Sequence, residues 1–211
     1  MLKIGVLASG GGTNLQVIID SIKKGYITNC SIAVVISNKK NAYALERARN
    51  NGIESVYIPK KDKTVEEYDR LLVERLEAYD VELVVLAGFI CIMGERFTER
   101  FKNKVINVHP SLIPSFCGKG YYGIIPHEKA LEYGVKVSGA TVHFAELQAD
   151  AGPIILQKAV EVKPDDTPEV LQQRVMREAE WIILPEAVNL IANGRVKIEG
   201  RKVYITDFGG I

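Results

Sequence analysis

The chain has 211 residues, 47% hydrophobic and 25% charged, with 27 Lys+Arg against 26 Asp+Glu and a formal net charge of +1. That is enough chain for one full α/β core, and the balanced charge argues against a nucleic-acid partner, which calls for an unmatched basic face. Cys30, Cys91 and Cys117 are scattered and lack a CxxC pair, so reduced thiols in a cytoplasmic setting are expected rather than a disulfide framework or a zinc site, and no metal is expected. No apolar run reaches about 18 residues and the amino-terminal run soon meets glycines, so neither a membrane span nor a signal peptide is expected.

In chain order, short β-branched runs alternate with stretches of helical period, the pattern of βαβ units on a parallel sheet. Strands are predicted at Leu2–Ala8, Ile32–Ser37, Ser55–Ile58, Leu83–Ala87 and Val105–His109. Helices are predicted between them at Leu15–Lys24, Ala42–Asn50, Val65–Tyr79 and Glu95–Lys102. After His109 the prolines and glycines of HPSLIPSFCGKGYYGIIP predict a surface loop until a short helix at His127–Tyr133. Extended runs at Lys136–Ala145 and Pro153–Val162 follow, then a helix over Thr167–Ala192 that Pro185 should kink or break, and a closing hairpin of Val196–Ile198 with Val203–Ile205. The fold class expected is α/β, a mostly parallel twisted sheet with helices on both faces, with antiparallel strands and the hairpin at the carboxyl end. No linker or repeat divides the chain, so residues 1–211 read as one domain.

Gly10-Gly11-Gly12-Thr13-Asn14 falls where the first strand turns into the first helix, and there backbone N–H groups and the helix dipole can hold an anion. No Gly-Lys-Ser/Thr follows, and Leu15 occupies the third glycine position of the dinucleotide fingerprint. A phosphate monoester is therefore expected rather than ATP or NAD; a merely tight turn is the alternative. Asn107 and His109 lie two apart at the end of a strand and so share a face, at the edge where open α/β sheets bind ligands. Asn supplies a neutral donor for an oxyanion and His a proton mover, the two roles of acyl transfer. Asp150, in QADAGP, is the candidate third group, either a partner for His109 or a turn former before Gly-Pro. His143 reads as structural. The His127 segment lacks the second histidine of a zinc-protease helix, no Gly-x-Ser-x-Gly elbow exists, and nothing predicts an electropositive setting for Cys91 or Cys117.

Five stretches, VLASGGGTNLQ at the amino terminus, VVLAGF at 84–89, INVHPSLIP at 106–114, TVHF at 141–144 and DAGPIILQ at 150–157, together resemble the phosphoribosylglycinamide formyltransferase family over nearly the whole chain. The resemblance implies a Rossmann-like formyltransferase fold with a phosphate-binding half, 1–109, and a folate-loop half, 110–211. It implies transfer of the formyl group of the cosubstrate 10-formyltetrahydrofolate to the glycine amine of glycinamide ribonucleotide, in purine synthesis, through a tetrahedral intermediate. Asn107 would hold the carbonyl oxygen and His109 would donate a proton, with Asp150 raising the histidine pKa and helping a water relay protons. Gly12, Thr13 and Asn14 would meet the phosphate and Glu180 the ribose hydroxyls. Ile90, Cys91, Ile92 and Met93, with Asn107 and the loop Glu146, Leu147, Gln148, Ala149 and Asp150, would line the folate pocket, and Thr141 would support the site from below. The implied partners are small molecules, without nucleic acid or membrane; monomer and homodimer both stay open.

The sequence also departs from the pattern. Cys91 stands where some relatives carry Arg, and Val65 falls near a basic position used for the folate tail, with Lys60, Lys61 and Lys63 close by. Phe116–Gly123 lengthens the loop after the His motif, and Trp181 replaces a His after the ribose acid. Two related readings, a formyltetrahydrofolate hydrolase and a methionyl-tRNA formyltransferase, call for additional domains for which 211 residues leave no space. A catalytically silent sugar-phosphate or folate module would need the glycine loop but not Asn107, His109 and Asp150 together.

Overall fold

Runs such as LKIGVL and CSIAVVIS are too apolar to leave a face in water, so they belong inside a sheet covered on both sides. That is their place in the computed structural model, which describes residues 1–91 and 93–206. Strands β1 (Leu2–Leu7), β2 (Cys30–Ser37), β3 (Glu54–Tyr57), β4 (Leu83–Leu86), β5 (Val105–His109), β6 (Val137–Phe144) and β7 (Ile154–Glu161) form one seven-stranded sheet in the order β3-β2-β1-β4-β5-β6-β7. The first five are parallel, and β6 and β7 continue the sheet antiparallel. Pairing of β5 with β6 joins the two halves of the sequence in one sheet. A separate hairpin, β8 (Val196–Glu199) with β9 (Lys202–Ile205), closes the described chain.

Helices α1 (Thr13–Lys23), α2 (Tyr43–Asn50), α5 (Ile125–Tyr133), α6 (Pro168–Val175) and α7 (Trp181–Ala192) share one core with Ile4, Val6 and Val85 of the sheet. Helices α3 (Val65–Ala78) and α4 (Glu95–Arg100) build the other with Leu7, Val84 and Leu86. Strict alternation along β1 and β4 sorts the side chains between these layers. Thr64 starts α3 with a capping box, its hydroxyl accepting from Glu67 N–H while the Glu67 carboxylate accepts from Thr64 N–H. Helix α4 has no side-chain cap of its own. The buried Asp69 of α3 does that work, accepting from Gly94 N–H at 3.0 Å and Phe97 N–H at 3.2 Å.

The strands and helices lie within a residue or two of the sequence expectation, except over 167–192. There the helix widens into a π turn at Met176–Glu180, with Trp181 N–H reaching back to the Met176 carbonyl, and Pro185 lies inside α7. The irregularity thus sits a turn before the proline rather than at it. It also turns Glu180 inward, where it is buried.

Chain order matters for the site. The first two crossovers build β1, β2 and β3 outward in one direction, and the third returns to place β4 on the opposite side of β1. Such a reversal opens a crevice at the carboxyl ends of β1 and β4, where ligands of open sheets bind.

His127, read from sequence only as the start of a helix, is buried in α5 at 1% exposure with neither ring nitrogen partnered. Burial, with His109 adding to it, pushes its pKa from 6.5 down to about 4. In that interval the unfolded chain takes a proton that the folded chain refuses, so stability falls as pH drops from 6.5 towards 4, by about 3 kcal/mol when complete. Urea unfolding at pH 7 and pH 4.5 should show this loss, and His127→Phe, which fills the space without a titrating group, should shrink it. An unchanged pH slope in that variant would assign the loss to other groups.

Candidate active site

At the end of β1 the chain must turn sharply into α1, and the glycines allow it. Gly12 is the N-cap residue of α1 at φ 69°, and a Cβ there would lie 2.8 Å from the Ala44 Cα and Cβ. Helix α2 grips the outer side of the loop: Ala44 N–H donates to the Gly10 carbonyl at 3.1 Å and Arg47 Nε to the Gly11 carbonyl at 2.8 Å. In a trans peptide the next N–H points opposite to the carbonyl, so the Gly11 and Gly12 N–H groups face away from α2. Neither a capping side chain nor an acid occupies the first turn of α1, and its N–H groups stay open to an anion. Thr13 Oγ1 reaches Met176 Sδ at 3.6 Å, and Asn14 Nδ2 donates to Glu180 Oε2 at 2.7 Å. Burial raises the Glu180 pKa, against the pull of that hydrogen bond. Asn14 Oδ1 is buried and has no partner.

Two strands over, on β5, Asn107 and His109 share a face by parity, roughly 10 Å from β1 at sheet spacing. Asp150 joins them from the β6–β7 connection, held at φ 55°. Its Oδ2 lies 3.5 Å from His109 Nδ1 and accepts from Gly118 N–H at 2.8 Å, and its Oδ1 lies 3.5 Å from Asn107 Nδ2 and from His143 Nε2. Burial opposes ionisation of Asp150, but the neighbouring His143, the charge of His109 and the Gly118 N–H outweigh it and hold the carboxyl below its usual range.

His143, expected to be structural, lies against the same cluster. In the β5–β6 register it sits opposite Asn107, with its Nε2 3.2 Å from Asn107 Nδ2 and its Nδ1 2.9 Å from the Phe144 carbonyl. A carbonyl can only accept, so Nδ1 carries the proton and Nε2 offers a lone pair to the Asn107 amide. That fixes the amide with its NH2 group toward Asp150. The sequence did carry a signal: Thr141-Val142-His143 repeats the alternation of Asn107-Val108-His109.

His109 is 4% exposed, and its Nε2 lies 3.0 Å from the Phe116 carbonyl. Burial lowers its pKa and outweighs the opposing effects of Asp150 and the Phe116 carbonyl. The expected upward shift from Asp150 is present but does not decide the net direction. Both ring nitrogens face acceptors, so a second proton is met on both sides. Thr141, opposite His109 and fully buried, donates to the Ser111 carbonyl at 2.7 Å and accepts from Ile113 N–H at 3.1 Å and Gln157 Nε2 at 3.0 Å. It thereby ties down the start of the loop that carries Phe116 and Gly118.

Of the residues expected around a folate, Ile90 is exposed, Cys91 half-buried and Met93 buried, while Glu146, Leu147, Gln148 and Ala149 are exposed in the loop leading to Asp150. Ile92 lies outside the described residues. Burial raises the Cys91 thiol pKa against the pull of Lys60, so a cationic neighbour stands beside a thiol for which none was expected. Among the described residues no group of three or more His, Cys, Asp or Glu side chains is arranged to hold a metal ion, and no helix is long and apolar enough to cross a membrane.

The formyl transferase family model matches residues 2–188. Phosphoribosylglycinamide formyltransferase of Haemophilus influenzae is 39% identical over 206 residues, covering 97% of this chain and 94% of its own. The crystal structure of glycinamide ribonucleotide transformylase 1 from Symbiobacterium toebii superposes with a TM-score of 0.92 at 46% identity, over 98% of this chain and 95% of that one. A formyltetrahydrofolate deformylase from Pseudomonas syringae shares the fold at TM-score 0.88 and 27% identity; the match covers 98% of this chain and 66% of the deformylase. The chain therefore belongs to the formyl transferase family, and within it to the phosphoribosylglycinamide formyltransferases.

Proposed function

We propose that this chain moves the formyl group of 10-formyltetrahydrofolate onto the glycine amine of glycinamide ribonucleotide. The observation that carries the reading is Asp150, whose carboxylate lies within 3.5 Å of His109, His143 and Asn107 at the same sheet edge as the open glycine loop. A binding module has no need of that convergence.

The Gly11 and Gly12 N–H groups and the amino end of α1 would take the ribonucleotide phosphate. The unpartnered Asn14 Oδ1 and the Glu180 carboxylate are acceptors, suited to ribose hydroxyls. Exposed Ile90 and the Glu146–Ala149 loop offer the walls for a folate. The amine nitrogen forms a bond to the formyl carbon, and the carbonyl electron pair moves onto oxygen, where Asn107 Nδ2 and the His109 imidazolium donate to it. Collapse breaks the bond between that carbon and the folate nitrogen. The proton lost by the amine reaches the leaving nitrogen through water held at Asp150, so the charge balances without a covalent enzyme intermediate. His109 Nε2 is engaged by the Phe116 carbonyl in the free chain, and it must exchange that acceptor for the developing oxyanion. The cytoplasm, where such small-molecule chemistry and reduced thiols coexist, is the proposed location.

Purified protein supplied with 10-formyltetrahydrofolate should formylate glycinamide ribonucleotide, without ATP, and release tetrahydrofolate only when the ribonucleotide is present. Equal release without it would favour the hydrolase, a reading that the lower identity to the deformylase already disfavours. Binding of both ligands without turnover would favour the silent module.

A further inference from the structure

We propose that Ser9, although it opens the glycine-rich loop of the phosphate site, is a positioning residue for the formyl-donor pocket and ties the two pockets together. The inference rests on the transfer reading above. Ser9 is 2% exposed, so its hydroxyl is turned away from solvent. Its N–H donates to the Gly88 carbonyl at 3.0 Å, and its Oγ accepts from Ile90 N–H at 2.8 Å. Asn38, just past β2, donates from Nδ2 to the Ile90 carbonyl at 3.4 Å, and its own Oδ1 is buried without a partner.

Ile90 gets little hold from packing, since the residue is 51% exposed. Among the described residues, its backbone is held by the pair of hydrogen bonds from Ser9 and Asn38 on either side of the residue. Further along, Gly94 N–H is anchored by the buried Asp69. The stretch assigned to the donor is thus pinned at one end by α3 and at the other by the residue that leads into Gly10–Gly12. Removing the Ser9 hydroxyl leaves the Ile90 N–H without its acceptor and frees this end. Because Ser9 and the phosphate loop are one continuous backbone, a ligand that orders the loop also orders Ile90, and by linkage the reverse holds.

The test is calorimetric titration of wild type, Ser9→Ala, Ser9→Thr and Asn38→Ala with tetrahydrofolate and with glycinamide ribonucleotide, each alone and with the other saturating. Wild type should show mutual enhancement of the two ligands; in Ser9→Ala, tetrahydrofolate should bind about tenfold more weakly, the ribonucleotide should change by less than about twofold, and that enhancement should vanish. Ser9→Thr keeps the acceptor and should recover most of the affinity. Asn38→Ala should weaken tetrahydrofolate in the same direction, and it carries the test alone if neither Ser9 variant folds. Loss confined to the ribonucleotide, or full retention of both affinities and of their coupling, would overturn the inference while the wild-type binding left the functional reading standing. Wild type that bound neither ligand would overturn that reading and this inference with it.

Discussion

Asp150→Asn and His109→Ala should each lower kcat by about 10² to 10⁴ while leaving the affinity for glycinamide ribonucleotide within about threefold. The proposed phosphate and ribose contacts come from β1, α1 and the wide turn before α7, apart from His109, His143, Asn107 and Gly118, which surround Asp150. The amide of Asp150→Asn is nearly isosteric, so the fold should persist and the change is electrical. His109 loses the nearby charge that pushes its pKa up, leaving only the Phe116 carbonyl to oppose burial. The sign follows: the pKa of His109, already below the ordinary histidine value, falls further, and the imidazolium that should meet the oxyanion becomes scarcer at neutral pH. The proton-donating limb of the pH profile should therefore move to lower pH in Asp150→Asn, by tracking kcat between pH 5 and 9. A limb that moved upward, or kcat unchanged in both variants, would return these residues to a structural role. The double variant should lose little more than either single one, because the pair acts as a unit.

Asp150 also shows where the sequence runs out. Its place in a loop between two extended runs was legible, as was the shared face of Asn107 and His109, because strand parity is local. What local pattern does not contain is the backbone at φ 55° that turns the Asp150 carboxylate back to the sheet, or the antiparallel register that sets His143 opposite Asn107. Both depend on pairing between segments about 35 to 45 residues apart, and a one-residue slip would turn His143 to the other face. The glycine loop was readable for the same reason as the strand: its geometry is set by adjacent residues. Its outer clamp, Ala44 and Arg47, belongs to α2 and is invisible until the helix is placed. The burial of His127 and the π turn that aims Glu180 inward are tertiary choices as well. Helical periodicity marks a helix over 167–192 but not which of its turns widens.

Gly152→Ala should be the most damaging single methyl added to this site. A Cβ on Gly152 would lie 1.8 Å from the Phe144 carbonyl oxygen and 2.9 Å from its carbon. Both sides of that contact are backbone, so no flexible side chain can yield. The same Phe144 carbonyl accepts the Nδ1 proton of His143, and Phe144 N–H donates to the Pro153 carbonyl at 2.8 Å. Moving the carbonyl therefore releases the His143 ring, and with it the amide of Asn107, while the displaced turn carries Asp150 away from His109. The register of β6 and β7 shifts at Val142/His143, which is where this close approach is built. Overpacking of this kind costs about 1 to 3 kcal/mol of stability, or roughly 5 °C in Tm for a domain of this size. The catalytic loss should be far larger in proportion: about 10²-fold or more in kcat, since misplacing reacting groups by an ångström has that effect. Leu76→Ala in α3 supplies the comparison. It empties a fully buried site in the other core, at an equal or greater cost in stability, without touching the turn. Assayed well below both melting temperatures, Leu76→Ala should retain most of its kcat while Gly152→Ala does not; similar activity in the two would mean that the Phe144–Gly152 contact serves the fold alone.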